Sequence, residues 1–363
     1  MCKVLIIEDQ QETIEKFKGL AKGSGLTFLA PSEVGLTELD PVFGESIEEQ
    51  LAKLLKDRIA KNQIDLVLLD TDLSRERGLQ THSSYKAALR ELGMPVCRYQ
   101  KGGTESQLAQ LTQLQRTIRD GASAIWIPKA LVSGSRIGEL VPRLIAISNG
   151  FKKILSALNE RPNLLSAAHS PTDVLAEVLG NRDLSYEFLG YAAQNLVYFA
   201  KREVDIEAHQ ISETQRYATQ LGYWLFNYII TFPGPILTQA AAAAYLNILP
   251  DELSHRQELL SCLAPARYQG PFGSVEPYYW RSHLIELLEE VGGDIRNHPS
   301  LVDKTFHCVD QDNMSSPAYI CMISGEPITL SQAAVNPDWV PSGASEAKIK
   351  EDVLDELGPL AGI

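Results

Sequence analysis

The sequence predicts an α/β fold: a doubly wound, five-stranded parallel sheet, followed by a mostly α-helical region with a small β-containing C-terminal part. Two short aliphatic runs, at residues 3–7 and 64–69, support this prediction, because such runs are typical of strands buried on both faces. Each run ends in carboxylates, Glu8 and Asp9 after the first and Asp70 after the second. Strand-like and helical patterns then alternate, which indicates parallel strands joined by helices.

The alternation can be followed through the first 148 residues. Strands are predicted at residues 3–7, 26–30, 64–70, 96–100 and 124–129. Helices are predicted at residues 11–21, 47–60, 83–92, 107–119 and from about residue 138. Residues 31–46 are rich in proline, glycine and acidic side chains, so we expect a loop inserted before the second helix.

The second half has a different pattern. Residues 149–171 are predicted to link domain 1–148 to a helical output domain at 172–300. A small α/β segment is predicted at 301–363, and it could be part of the output domain. One helix is expected to carry the aromatic side chains of residues 186–199. Residues 225–249 are the most apolar, and Pro233-Gly234-Pro235 interrupts them, so two buried helices are expected rather than a membrane span. Short strands are predicted at 305–309 and 318–323, and a last helix at 346–357.

Charge is unevenly distributed along the 363 residues. Residues 1–150 hold 19 basic and 19 acidic side chains, whereas residues 151–363 hold 14 and 27, which accounts for the net charge of −13. Acidic surfaces repel nucleic acid and anionic membranes, so neither is an expected partner. The five cysteines are scattered and odd in number, and no signal peptide is apparent before the first strand, so reduced thiols and a cytoplasmic protein are expected.

The carboxylates Glu8, Asp9 and Asp70 follow two strands that are expected to be parallel. Carboxyl ends of parallel strands meet at one edge of an open sheet, where ligand sites form. Like charges that close repel one another unless a cation compensates them, and Mg²⁺ prefers oxygen ligands. The sequence therefore predicts an acidic pocket that binds Mg²⁺.

Further residues stand at spacings seen in one known family. They are, in chain order, Gly78, Pro95, Val96, Gly121, Ala122, Ser123 and Lys129. With the acidic pocket, they resemble the response-regulator receiver family of two-component signalling over about residues 1–148. The resemblance does not extend to the C-terminal half.

The resemblance implies a role for each residue of the pocket. Asp70 would accept a phosphoryl group from the phosphohistidine of a histidine kinase or phosphotransfer protein. Glu8, Asp9 and Asp70, with the backbone carbonyl of Asp72, would bind Mg²⁺. Lys129 would pair with the phosphoryl oxygens. Signalling would then proceed through protein contacts of the C-terminal domain with an unknown downstream protein.

Gln100, Arg98 and Lys129 depart from the family pattern, whereas Trp126 agrees with it. Gln100 stands where the family has the serine or threonine that bonds the phosphoryl group, and a longer amide does not reproduce that hydroxyl contact. Arg98 is unusual within a buried strand. Trp126 occupies the position of the family's mobile aromatic switch, although a plain core role fits it equally. Lys129 is displaced by one residue, but we favour it over a surface role because no other lysine is expected to end a strand nearby.

Two other functions stay open. The chain could be a pseudo-receiver, an interaction module without phosphotransfer in a prokaryotic signalling or defence system. The C-terminal half could instead be an enzyme controlled by the receiver, although we identify no catalytic motif there. His307, Cys308 and Cys321 lack the paired spacing typical of zinc sites.

Overall fold

The computed structural model describes residues 1–36, 44–73, 80–102, 106–165, 169–191 and 212–362. The chain forms two compact units that alternate along the sequence. The first unit takes its described residues from Met1–Gly103, Asp120–His169 and Val197–Tyr223, and the second from Thr104–Arg119, Ser170–Leu196 and Trp224–Ile363.

The first unit contains the predicted parallel sheet. Its strands are β1 (Cys2–Ile7), β2 (Leu26–Leu29), β3 (Leu66–Asp70), β4 (Val96–Tyr99) and β5 (Ile125–Trp126). They are arranged in the order β2-β1-β3-β4-β5, and every neighbouring pair is parallel. This is the strand order of flavodoxin-like doubly wound sheets, so the predicted fold class is confirmed and the unit is receiver-like in fold.

Helices connect these strands. They are α1 (Gln11–Leu20), α2 (Pro31–Val34), α3 (Ile47–Asn62), α4 (His82–Glu91), α5 (Gln107–Asp120), α6 (Lys129–Val132) and α7 (Leu140–Glu160). A reciprocal cap fixes the start of α3: the Ser46 hydroxyl accepts from the Glu49 N–H at 3.2 Å, and the Glu49 carboxylate accepts from the Ser46 N–H at 3.0 Å. Such a capping box satisfies two N–H groups that the helix itself cannot bond.

The central strands are covered on both faces. All five residues of β3 are buried, as expected for an inner strand of a doubly wound sheet. On one face a core cluster joins the sheet to α3 and α4, and it includes Leu5, Ile7, Leu51, Leu55, Val67, Leu69, Tyr85 and Leu89. The core therefore holds β1 and β3, whose ends carry the three carboxylates.

A helix from later in the chain, α10 (Glu213–Trp224), completes the first unit. The Thr219 hydroxyl donates to the Gly93 carbonyl at 2.7 Å, and the Val96 N–H donates to the Tyr223 hydroxyl at 2.8 Å. Gly93 has φ +54°, and a Cβ there would lie 2.9 Å from the Cα of Arg216. Only glycine permits this close approach of α10 to the start of β4.

The second unit is mostly helical. Its remaining elements are α8 (Pro171–Leu179), α9 (Leu184–Leu189), a π-helical turn (Leu225–Ile230), β6 (Ile236–Thr238), α11 (Gln239–Tyr245), α12 (Pro250–His255), α13 (Gln257–Cys262), β7 (Tyr278–Trp280), α14 (Arg281–Glu290), β8 (Tyr319–Ile320), β9 (Pro327–Ile328) and α15 (Glu351–Leu357). Two antiparallel pairs, β6–β7 and β8–β9, provide its β-structure. Arg281 connects three segments of this unit that are distant in sequence, because its guanidinium forms ion pairs with Glu187 at 2.8 Å and with Glu346 at 3.1 Å.

Two predictions for the C-terminal part are wrong. Residues 305–309 form no strand, because the His307 carbonyl accepts from the Leu249 N–H at 2.9 Å instead of joining a ladder. The last helix begins at Glu351 rather than at residue 346. The backbone before Glu351 forms hydrogen bonds outside the helix: the Glu346 N–H donates to the Pro233 carbonyl at 3.1 Å.

The two compact units do not correspond to the consecutive segments that were predicted from the sequence. Most of the predicted linker is the helix α7, and α5 belongs almost wholly to the second unit. There the Gln115 side chain donates to the Leu360 carbonyl at 3.1 Å, and the Tyr228 hydroxyl donates to the Ile118 carbonyl at 2.8 Å. A sequence pattern shows which face of a helix is apolar, but not which distant segment covers it.

Some predictions fall outside the described residues. They include Gly78 and residues 192–199 of the helix expected at 186–199; in the described part of that stretch, α9 ends at Leu189. Across the ranges that the structure does describe, no helix combines the length and the apolar character needed to cross a membrane.

We expect Tyr223→Phe to lower the free energy of unfolding by about 1–2 kcal/mol, because the buried Val96 N–H would lose its acceptor. Urea denaturation measures this loss. The matched control is Tyr186→Phe, since the Tyr186 side chain is 79% exposed. The control should change stability by less than about 0.5 kcal/mol. Equal effects of the two substitutions would contradict the proposed role of Tyr223 in holding α10.

Candidate functional site

Three carboxylates meet at the carboxyl edge of the sheet. Ile7 of β1 is paired with Leu69 of β3, so the residues that follow them, Glu8 and Asp70, leave neighbouring strands at the same level. Glu8 and Asp70 are fully buried, and Asp9 is partly buried. One carboxylate oxygen from each of the three lies within 4.8 Å of the others. The structure thus brings together the residues that the sequence predicted to form an acidic pocket.

The side chain of Lys101 provides positive charge in this pocket. Its Nζ lies 2.8 Å from Glu8 Oε2 and 3.1 Å from Asp70 Oδ2. Lys101 follows the last residue of β4 by two positions, and β4 is the neighbour of β3. The ends of three adjacent strands, β1, β3 and β4, therefore supply the charged groups of the pocket.

Glu8 accepts hydrogen bonds at both carboxylate oxygens. Oε2 accepts from the Tyr99 hydroxyl at 2.6 Å and from Lys101 Nζ, whereas Oε1 accepts from the backbone N–H groups of Asp9 and Gln10, each at 2.9 Å. These bonds fix the side chain and compensate for its burial. Glu8 therefore serves as an anchor of the pocket in this arrangement.

Burial changes the protonation of these groups. It raises the pKa of Glu8, although the bonds from Lys101 and Tyr99 act in the opposite direction. Burial and the nearby Glu8 carboxylate raise the pKa of Tyr99, so the phenol keeps its proton and donates a hydrogen bond to Glu8. Burial disfavours the charge on Lys101, but the bonds to Glu8 and Asp70 outweigh this effect and raise its pKa. Lys101 therefore stays an ammonium at neutral pH.

The sequence favoured Lys129, not Lys101, as the lysine of the site. Lys101, two residues after the end of β4, instead reaches Asp70, with its Nζ 3.1 Å from Asp70 Oδ2. β5 ends at Trp126, and Lys129 is the first residue of α6. The role expected of Lys129 at the phosphoryl group stays a prediction. Lys101 and Tyr99 were not identified from the sequence as residues of the site, and the sequence pattern around them does not distinguish them from other strand-end and loop residues.

The other predicted residues lie around the same edge. The Asp72 N–H donates to Asp70 Oδ1 at 3.1 Å, and Gln100 directly follows β4 and is partly buried. Trp126 is paired with Arg98 in the sheet, and the Arg98 guanidinium carbon lies 5.7 Å from the ring centroid. This cation–π contact gives the buried arginine a partner. The switch roles of Gln100 and Trp126 and the ligand role of the Asp72 carbonyl stay predictions.

The donor set of the pocket fits a hard divalent cation. With formal charges of −3 for the three carboxylates and +1 for the ammonium, the pocket carries an excess of two negative charges. Mg²⁺ is typically bound by one or two carboxylates together with water and phosphate oxygens. Each of the three carboxylates, Glu8, Asp9 and Asp70, could provide an oxygen ligand to such an ion.

Comparison of the chain with known proteins identifies no similar protein. The chain matches no protein-family model, and neither a curated protein nor a solved structure is detectably similar to it. The site must therefore be interpreted from its own geometry.

We expect Lys101→Met to lower the free energy of unfolding by roughly 3 kcal/mol near neutral pH, because two buried carboxylates would lose their cation. Loss of the lysine should raise the pKa of Glu8 further. The folded protein would then bind a proton more tightly than the unfolded chain does, so the deficit should shrink as the pH falls. Urea denaturation at about pH 7.5 and about pH 5 measures both effects.

Lys129→Met is the matched control, since it removes an ammonium at the position that the sequence favoured. We expect it to cost clearly less stability than Lys101→Met. An equal loss in both variants, or a deficit for Lys101→Met that grows in acid, would contradict this account of the pocket.

Proposed function

We propose that this protein is an atypical response regulator that receives a phosphoryl group on Asp70. The observation that carries the proposal is the fully buried Asp70 carboxylate at the end of the central strand, beside Asp9 and 3.1 Å from an ammonium. Phosphoryl transfer depends chiefly on positioning and on neutralising charge, and this pocket offers both. The phosphoryl donor would be a histidine kinase or a phosphotransfer protein.

The reaction requires only a nucleophile and compensating charge. An Asp70 oxygen attacks the phosphorus of a phosphohistidine, the phosphorus–nitrogen bond breaks, and an aspartyl phosphate forms as the imidazole leaves. Lys101 can then exchange its contact with Asp70 for one with a phosphoryl oxygen. The Gln100 amide can donate to another phosphoryl oxygen, in the place of the family's hydroxyl.

Mg²⁺ is the cofactor that this proposal includes. Glu8, Asp9 and Asp70, with the backbone carbonyl of Asp72, would bind it, and the ion would neutralise charge on the phosphoryl oxygens. Glu8 would also hold Lys101 and Tyr99 in position.

The output would be a protein contact. Residues 151–363 carry the excess of negative charge, which disfavours nucleic acid as a partner. Within the first unit, α10 is hydrogen-bonded to the start of β4, and the residues just after β4 include Gln100 and Lys101. A change at the phosphoryl group can therefore reach α10 along a single short strand.

A pseudo-receiver is the second candidate, and one observation favours it. Lys101 already occupies the place of a cation between Glu8 and Asp70, so the pocket is neutralised in part without a metal ion. In that case the fold would serve as a binding module, and neither Mg²⁺ nor a phosphoryl donor would change the protein.

We expect incubation with acetyl phosphate and Mg²⁺ to add one phosphoryl group to the protein, as measured by intact-mass spectrometry. Asp70→Asn should abolish the addition, because an amide oxygen is a far weaker nucleophile than a carboxylate. Asp57→Asn is the control, since Asp57 is an exposed carboxylate on α3, and it should react like the wild type. Lys101→Met should react more slowly.

The same measurement separates the two candidates. An unchanged mass in the wild type, with no shift of its melting temperature when Mg²⁺ is added, would favour the pseudo-receiver. Addition that persists in Asp70→Asn would place the phosphoryl group elsewhere and contradict the assignment of Asp70.

We expect the full-length protein not to shift duplex DNA, even at about 50 mM salt, where electrostatic attraction to phosphates is strong. The net charge of −13 opposes such binding. An electrophoretic mobility assay tests this for both the unmodified and the phosphorylated protein. Tight binding in either state would indicate a transcription factor instead of a protein-contact output.

A further inference from the structure

A second cluster of reactive side chains lies in the second unit and takes no part in the acidic pocket. Cys262 is the last residue of α13, and its Sγ lies 2.9 Å from Ser300 Oγ and 3.4 Å from His298 Nδ1. The Ser300 Oγ lies 2.9 Å from the same ring nitrogen. A nucleophile and a base within hydrogen-bond reach, with a third group beside the base, form the pattern of an activated nucleophile.

The hydrogen bonds define the direction of proton transfer. The Ser300 N–H donates to His298 Nδ1 at 3.3 Å, so this nitrogen presents its lone pair towards the cluster. It can accept the thiol proton of Cys262, and the Ser300 hydroxyl can then donate to the thiolate that forms. Both neighbours of the sulfur thus favour the thiolate.

Two ion pairs lie on the two segments that form the cluster. Glu258 of α13 pairs with Lys304 at 3.0 Å, and Asp294 pairs with Arg296 at 2.5 Å. Among the described residues, His298 is a titratable group within hydrogen-bond reach of the thiol.

The other four cysteines, all in the described part of the chain, are buried and free. They are Cys2, Cys97, Cys308 and Cys321. Burial raises the pKa of the Cys2 and Cys97 thiols, which makes them less reactive. Burial also opposes ionisation of Cys321, but hydrogen bonds from Ser324 and from backbone N–H groups outweigh it and lower the pKa of that thiol, which has no exposed surface. Cys262 is partly exposed, so it alone combines access to solvent with a neighbouring base.

We propose that Cys262, His298 and Ser300 form a reactive-thiol site that takes up low-molecular-weight disulfides. The thiol proton moves to His298 Nδ1, and the Cys262 thiolate attacks one sulfur of the disulfide. A new sulfur–sulfur bond forms as the old one breaks, and the released thiolate takes a proton. Cys262 is thereby oxidised to a mixed disulfide, and the small disulfide is reduced to one equivalent of thiol.

An aromatic disulfide that releases a coloured thiolate tests the site in the intact, full-length protein. We expect one fast-reacting thiol at about pH 7, assigned to Cys262 by peptide mass spectrometry and absent from Cys262→Ser. His298→Asn should slow this phase about tenfold, because an ordinary thiol is only a few per cent thiolate at pH 7. The two rates should converge near pH 10, where the base is no longer needed.

Two further variants distinguish this role from a merely structural one. Ser300→Ala removes the hydroxyl donor and should slow the reaction less than His298→Asn does. His255→Asn changes a histidine whose ring contacts the Asp251 carbonyl, and it should leave the rate unchanged. A fast phase on another cysteine, or an unchanged rate at pH 7 in His298→Asn with a wild-type melting curve, would overturn the proposal.

Discussion

The ion pair between Lys101 and the two buried carboxylates, Glu8 and Asp70, is the interaction on which the sheet edge depends. Neither carboxylate has any exposed surface, and each leaves the end of a central strand. Two unscreened negative charges at this distance would repel each other strongly in a medium of low dielectric constant. The Lys101 ammonium compensates the two negative charges, because it contacts both carboxylates.

This pairing restricts the register of three strands at once. Glu8 follows β1, Asp70 ends β3, and Lys101 follows β4, which are neighbours in the sheet. Asp70 is paired with Tyr99, so the Tyr99 hydroxyl also reaches the same pocket. A slip of one residue between any two of these strands would turn the side chains to the opposite face. The charges of the pocket and the packing of the core therefore specify the same alignment.

Much of this arrangement could be predicted from the sequence, because its determinants are local. Aliphatic runs ending in carboxylates define the strands, and the topology of parallel sheets brings Glu8 and Asp70 to one edge. Lys101 lies in a polar segment whose pattern resembles any surface loop, so nothing local distinguished it. The contact of α10 with β4 and the approach of Cys262 to His298 join distant segments. Such contacts follow from tertiary packing, which periodicity does not encode.

Lys101 and a divalent ion compete for part of the same negative charge. The ammonium stabilises the resting fold, yet each charge that it neutralises weakens the attraction of the pocket for a metal ion. Glu8 accepts hydrogen bonds at both carboxylate oxygens, and Asp70 also has a contact at each oxygen. An ion bound by either carboxylate would therefore have to displace or share one of these contacts. The phosphoryl group would change this balance, because it brings new oxygen ligands for the ion and a new anionic partner for Lys101. In the proposed reaction, phosphorylation and ion binding would each strengthen the other.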